Sequence, residues 1–349
     1  MQARTCLEGR VPTTVAAVPA LRGATILITG GTGSFGHRVA ARMIEQGPRE
    51  IRIFSRDEKK QWEMQHRYPN FRYFIGDVRD VQSLAHAARG ADFIFHAAAL
   101  KQVPTCETFP WEAVQTNIHG AHILSRVARD AGVKVIVALS TDKAVKPVNA
   151  MGMSKAMMEK IVCSQNRFES APVFCCVRYG NVMGSRGSVI PFFIKLILER
   201  KPLTLTVPQM TRFLLTLDQS VDLVFRAMTT AQGGEIFVRR APACTVLNLA
   251  KALARKYSPL GQDHPIKEIG ARPGEKLHEV LVNEYEIQRA RDEDGYFIIP
   301  PEYPGPSTLP PNGHPFGEEY TSANTTQLTD VEDIVALLDH TGDAESHLD

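Results

Sequence analysis

Short apolar runs separated by stretches of helical spacing organise the first half of the chain. Runs at 24–29, 51–54, 71–75, 93–96, 133–139 and 173–178 have the length and apolar character of buried strands. Between the first two, Val39, Ala40, Met43 and Ile44 repeat at the spacing of one helix face. Strand and helix alternating in this way predict an α/β fold, a Rossmann-type, doubly wound parallel sheet with right-handed crossovers. Beyond residue 183 the alternation breaks. Helices are expected at 189–199 and 246–257 and strands at 203–207 and 235–238, a smaller α/β C-terminal lobe interleaved with the last strands of the sheet. The expected organisation is a disordered extension at 1–22, a nucleotide-binding domain at 23–183, a substrate-binding lobe at 184–300, and a tail at 301–349. A Pro- and Gly-rich connector opens that tail, and a short helical pattern at 331–338 follows.

With 349 residues, 44% hydrophobic and 22% charged, the chain is long enough for both lobes. A formal net charge of +2 with scattered Lys and Arg gives no electrostatic footprint for nucleic acid. No apolar run reaches the roughly 18 residues of a membrane helix, and residues 1–23 lack the continuous apolar core of a signal peptide. A cytoplasmic protein is expected. The six cysteines, Cys175 and Cys176 adjacent among them, show neither disulfide nor metal spacing and read as packed, reduced thiols.

Pockets in doubly wound sheets lie at the carboxyl ends of the strands. After the first run comes Gly30-Gly31-Thr32-Gly33-Ser34-Phe35-Gly36. Gly30 permits the tight turn, Gly33 lets the backbone approach a pyrophosphate, and Gly36 lets helix and strand pack closely, with the helix start facing the anion. This predicts a dinucleotide cradle holding Thr32, Ser34 and Phe35 as well. Ser55-Arg56-Asp57 follows the second run. A hydroxyl and a guanidinium suit a 2′-phosphate, whereas Asp57 could instead bond a ribose hydroxyl. NADP is therefore expected, with NAD the alternative. Asp77 and Val78, after the third run, are expected at the adenine edge. Ala97, Ala98 and Tyr179 stand at further strand ends, and His96 reads as a packed histidine.

Ser140-Thr141-Asp142-Lys143 ends the fifth run, and Met151-Gly152-Met153-Ser154-Lys155 follows. An acid beside a lysine at such a strand end can be tuned into an acid–base pair. The ordered set TGGTGSFG, SRDE, GDVRD, AAALKQVP, LSTDKAV-x-P-x-N, RYGNV-x-x-SRGSV-x-P, MTRF and RPGEKLHE, spanning about 24–300, resembles the extended short-chain dehydrogenase/reductase superfamily. Within it, the set looks like the nucleotide-sugar 4,6-dehydratases of bacterial polysaccharide and flagellin-glycan biosynthesis. Lys101-Gln102-Val103-Pro104 and the Met-Gly-Met-Ser-Lys run are similar to the capsule-type subgroup. The tail Tyr320-Thr321-Ser322-x-Asn324-Thr325 resembles the latch of its C5-inverting UDP-N-acetylglucosamine branch.

The resemblance implies an internal redox cycle: oxidation at sugar C4, loss of water across C5 and C6, and hydride return to C6. In it Lys143 removes the C5 proton, Asp142 protonates the C6 hydroxyl, Thr141 bonds O4, and Lys155 holds the nicotinamide ribose. Met151 occupies the position where the superfamily carries a tyrosine, and a thioether is no base. The acceptor of the O4 proton is thus left to Asp142 or Lys143. Arg212 and Arg272 match positions that touch the diphosphate and nucleoside, Glu275 a ribose hydroxyl. Lys101 is expected at both cofactor and substrate. Asn181, Arg186 and Ser188, beyond the sixth run, are expected at the sugar or phosphates. The latch implies a homo-oligomer. Two other readings stay open: an NAD(P)-dependent dehydratase or epimerase of another nucleotide sugar, and a non-catalytic NADP-binding regulator.

Overall fold

The computed structural model describes residues 19–168, 172–185, 187–302 and 317–339. Arg186, most of the expected N-terminal extension and most of the Pro-rich connector lie outside the described residues. Six strands run in parallel: β1 (Thr25–Thr29), β2 (Glu50–Ser55), β3 (Arg72–Ile75), β4 (Phe93–His96), β5 (Val135–Thr141) and β6 (Val173–Tyr179). Each falls within two residues of the expected run. The second half adds β7 (Asn181–Val182), β8 (Leu203–Leu205), β9 (Thr211–Leu215), β10 (Ile236–Arg239), β11 (Ala243–Thr245) and β12 (Ile266–Glu268). The last four are β13 (Val280–Val282), β14 (Arg291–Glu293), β15 (Tyr296–Ile299) and β16 (Tyr320–Thr321).

The main sheet has the order β14-β15-β10-β6-β5-β4-β1-β2-β3, which is the doubly wound Rossmann topology. β10 extends it in parallel, and β15 and β14 close that edge antiparallel. Three of its nine strands therefore come from beyond residue 183. β1 pairs with β2 on one side and β4 on the other. The direction of winding reverses there, and a crevice opens above the carboxyl ends.

Side-chain alternation divides the core into two faces. Ile26, Ile28, Val137 and Cys175 pack on one face with Val39, Met43 and Val224. Leu27, Ile136 and Cys176 pack on the other with Leu124, Met158 and Val162. The adjacent cysteines thus serve as small hydrophobes on opposite faces. A third core joins helices Val189–Leu198 and Val246–Tyr257 to Ile334 and Leu338 of the C-terminal helix Val331–Asp339. β16 pairs with β13, and Tyr320 sits between the rings of Phe213 and Phe297. Residues 317–339 thus pack Tyr320, Ile334 and Leu338 on their own chain.

Candidate active site

A cleft of about 630 Å³ opens above the carboxyl ends of β1, β2, β4, β5 and β6, within the range of small-ligand sites. Its floor is the glycine loop. Gly30 has φ +69°, and a Cβ there would stand 2.7 Å from the Ala98 nitrogen and 2.8 Å from the Ala97 carbonyl carbon. Only glycine lets β1 turn this close to the end of β4. No side chain caps the helix Ser34–Ile44 that follows, so its positive end faces the cleft. Thr32, Gly33, Ser34, Phe35 and Gly36 all line the opening, with Ala97, Ala98, Lys101 and Tyr179 around it.

Past β2, Ser55, Arg56, Asp57 and Lys60 line the cleft. The Ser55 hydroxyl accepts from Gln61 at 3.0 Å. Asp57 caps the helix Glu58–Arg67 by accepting from the Lys60 backbone N–H, and its bonds to Lys60 hold its carboxyl below the usual range. Val78 lines the cleft but Asp77 does not. The Asp77 carboxylate is held by Arg79 at 2.8 Å and lies 3.5 Å from Arg56. Burial would raise its pKa, and the Arg79 bonds more than reverse this. His96 is buried, shares a 2.7 Å hydrogen bond with Thr29, and is pushed by burial down to about 3.

Local structure assembles the reactive end. At the end of β5 the Thr141 hydroxyl donates to Asp142 Oδ1 at 2.8 Å and accepts from the Lys143 backbone N–H at 3.3 Å. Asn149 caps the helix Ala150–Ser164 by accepting from the Gly152 N–H at 2.8 Å. A Cβ on Gly152 would stand 2.2 Å from the Lys143 carbonyl oxygen, so glycine is required for this helix to meet the Thr141–Lys143 turn. Met151 and Lys155, one helical turn apart, both line the cleft. Lys155 Nζ donates to the Leu139 carbonyl at 2.6 Å, and burial lowers its pKa to about 8. A single π-helical turn, Val114–His119, presents Asn117, which bonds Leu100 and Ser154 and ties the wall after β4 to the same helix.

Thr141 and Lys143 line the cleft, whereas Asp142 lies fully buried behind them. Lys143 Nζ is 3.1 Å from Asp142 Oδ1 and 3.3 Å from Glu279 Oε1, and Glu279 is 3.8 Å from Arg212 Nε. Burial would lower the Lys143 pKa, but the two carboxylates outweigh it and hold the ammonium above its usual range.

A family described as polysaccharide biosynthesis protein matches residues 26–301. The chain belongs to that family. It is 46% identical over 331 residues to the UDP-glucose 4-epimerase of Rickettsia bellii (strain RML369-C), covering 90% of this chain and 96% of that relative. It is 51% identical over 285 residues to the UDP-glucose 4-epimerase of Rickettsia felis, covering 79% and 82%. Among solved structures, Pen from Bacillus thuringiensis superposes with a TM-score of 0.85 at 34% identity, over 92% of this chain and 98% of that one. DesIV, a dTDP-glucose 4,6-dehydratase from Streptomyces venezuelae solved with NAD and TYD bound, shares the fold with a TM-score of 0.66 at 22% identity, over 72% and 86%. The Rossmann-like parallel-sheet fold of this chain is the one those structures share, and a UDP-glucose 4-epimerase from Thermotoga maritima shares it too, with a TM-score of 0.65 at 22% identity, over 72% and 87%.

The substrate side divides. Asn181 and Ser188 line the cleft, where Asn181 Oδ1 and Ser188 Oγ are buried without a hydrogen-bond partner. Thr116 Oγ1 and Ser140 Oγ, on two more lining residues, are likewise unpartnered. Orphaned buried polar atoms gathered in one cleft are what a polar ligand would satisfy. Arg212 does not line the cleft and donates to the Thr211 carbonyl at 2.8 Å. Arg272 and Glu275 sit exposed on a turn and do not line the cleft. Glu279 carried no assigned role in the sequence, although RPGEKLHE contains it; nothing local marks it as facing Lys143.

Proposed function

We propose that this polysaccharide biosynthesis protein is a nucleotide-sugar 4,6-dehydratase acting on UDP-N-acetylglucosamine, with NADP in the glycine-loop cleft. The observation that carries the reading is the Thr141–Asp142–Lys143 cluster at the cleft, beside a helix that offers Met151 instead of a tyrosine. Oxidation at C4 alone needs one proton acceptor, whereas removing water across C5 and C6 needs a base and an acid as well. The cluster supplies both.

A nicotinamide cofactor supplies the acceptance of hydride at C4 and its return at C6. Gly30 to Gly36 and Lys155 would hold it. Arg56 and Lys60, both lining the cleft past β2, favour a 2′-phosphate. Thr141 bonds O4 and passes the O4 proton to Asp142 along their 2.8 Å hydrogen bond. This relay does the work expected of the missing tyrosine. Lys143 takes the C5 proton, and the proton stored on Asp142 leaves through Thr141 with the C6 hydroxyl as water. Asn181 and Ser188 bond the sugar or phosphates, and the tail supports C5 inversion by its resemblance.

The names of the 46–51% identical relatives favour a second reading, 4-epimerisation, in which hydride returns to C4 from the other face and C6 is untouched. Proton NMR of the protein with UDP-N-acetylglucosamine and NADP⁺ separates the two. Dehydration gives a methyl doublet in H₂O, collapsing in D₂O because C5 then carries deuterium. Epimerisation gives a changed H4 coupling with the hydroxymethyl group intact. No turnover despite NADP binding would sink both readings and leave a cofactor-binding regulator.

A further inference from the structure

Glu279, just before β13, is 3% exposed and does not line the cleft. Its Oε1 lies 3.3 Å from Lys143 Nζ, while its Oε2 has no partner. The backbone around it is clamped. The Glu279 N–H donates to Ser322 Oγ at 2.8 Å, and the Ser322 N–H donates to the Glu279 carbonyl at 2.8 Å. Ser322, itself fully buried, also donates to the Thr211 carbonyl at 3.1 Å. The tail and β9 thus hold one buried carboxylate beside the lysine, outside the cleft lining. An interior carboxylate with a free oxygen is costly unless it is used.

A lysine facing two carboxylates is an ammonium, and an ammonium cannot take the C5 proton. We propose that Glu279 is a positioning residue that shares the Lys143 proton, leaving Lys143 a neutral amine at the moment it faces C5; this rests on the dehydratase reading. One Nζ–H bond breaks and an Oε1–H bond forms, with no proton exchanged with solvent. The freed lone pair then forms N–H with the C5 proton. The C5–H electron pair becomes the C5–C6 double bond, and the C6 oxygen leaves as water with the proton from Asp142. When Lys143 later gives up a proton, Glu279 returns its own.

The surroundings agree. Glu279 faces Asp142, Lys143, Arg212 and Lys276; burial first and Asp142 second raise its pKa, against the pull of the three cations. Lys143 faces Asp142, Glu279 and Arg212. Since the pair as a whole keeps its proton, turnover should be nearly independent of pH around neutrality.

The test is kcat and KM for methyl formation between pH 6 and 9, using the full chain with NADP⁺, for the wild type, Glu279→Gln and Glu279→Asp. Wild-type kcat is expected to vary by less than about threefold from pH 6.5 to 8.5. In Glu279→Gln, Lys143 must lose its proton to solvent. Its kcat is expected to drop about 10²-fold at pH 7 and to climb about tenfold per pH unit, with KM unchanged. Glu279→Asp keeps the carboxylate and should retain the flat profile at a reduced rate, which also decides the matter if the Gln variant fails to fold. A Gln variant with wild-type kcat, a reduced but equally flat profile, or an Asp variant with a steep one overturns the role of Glu279 alone. A wild type that forms only the 4-epimer overturns the dehydratase reading instead.

Discussion

Lys155→Met is expected to stabilise the protein without cofactor while disabling it. Lys155 is 6% exposed, and the partners of its Nζ are a carbonyl at 2.6 Å and the Met158 sulfur at 3.4 Å, neither of them charged. Burial lowers its pKa from 10.5 to about 8. At about 1.4 kcal/mol per pH unit, keeping this ammonium buried costs about 3 kcal/mol. Methionine has a similar length and no charge, but it forgoes the bond to Leu139, worth about 1 kcal/mol. The variant should therefore gain about 2 kcal/mol at pH 7. The pH dependence has a definite sign. Below about 8 the lysine is protonated both folded and unfolded, so the cost is present in full. Between about 8 and 10.5 the folded protein sheds the proton first, and the cost fades as pH rises. Urea unfolding of both proteins at pH 7 and pH 10 measures this directly. A variant less stable than wild type at pH 7, or a gain equally large at pH 10, would refute the reasoning. Loss of turnover beside the gain in stability would mark Lys155 as strain kept for function.

Met151→Leu should leave kcat within about threefold, because no proton passes through the thioether and the swap conserves volume; a 10²-fold loss in the NMR assay would put the sulfur in the chemistry. Arg56→Ala should weaken NADP⁺ by about 10–100-fold, from charge-assisted bonds of about 1.5–3 kcal/mol. NAD⁺ should change by less than about threefold. Fluorescence titration of both cofactors checks this, and equal losses would mean that Arg56 does not read the 2′-phosphate.

The sequence by itself determined the parallel half of the sheet, the glycine loop and the strand-end motifs, because these are written locally. A buried parallel strand must be an apolar run, and the turn at Gly30 tolerates no side chain, so neither depends on distant partners. Thr141, Asp142 and Lys143 were legible for the same reason: they directly follow such a run. The short strands of the second half, β7, β9 and β11 to β16, went unread. Two to five residues have no periodicity of their own, and each is a strand only because of what it pairs with. Tertiary structure alone decided which charged groups meet. Glu279 came to face Lys143 at 3.3 Å, and Arg212 came within 3.8 Å of Glu279. Those outcomes depend on burial and on distances of a few ångströms between residues far apart in the chain. Electrostatics at that range is set by the folded surroundings, which no local pattern encodes.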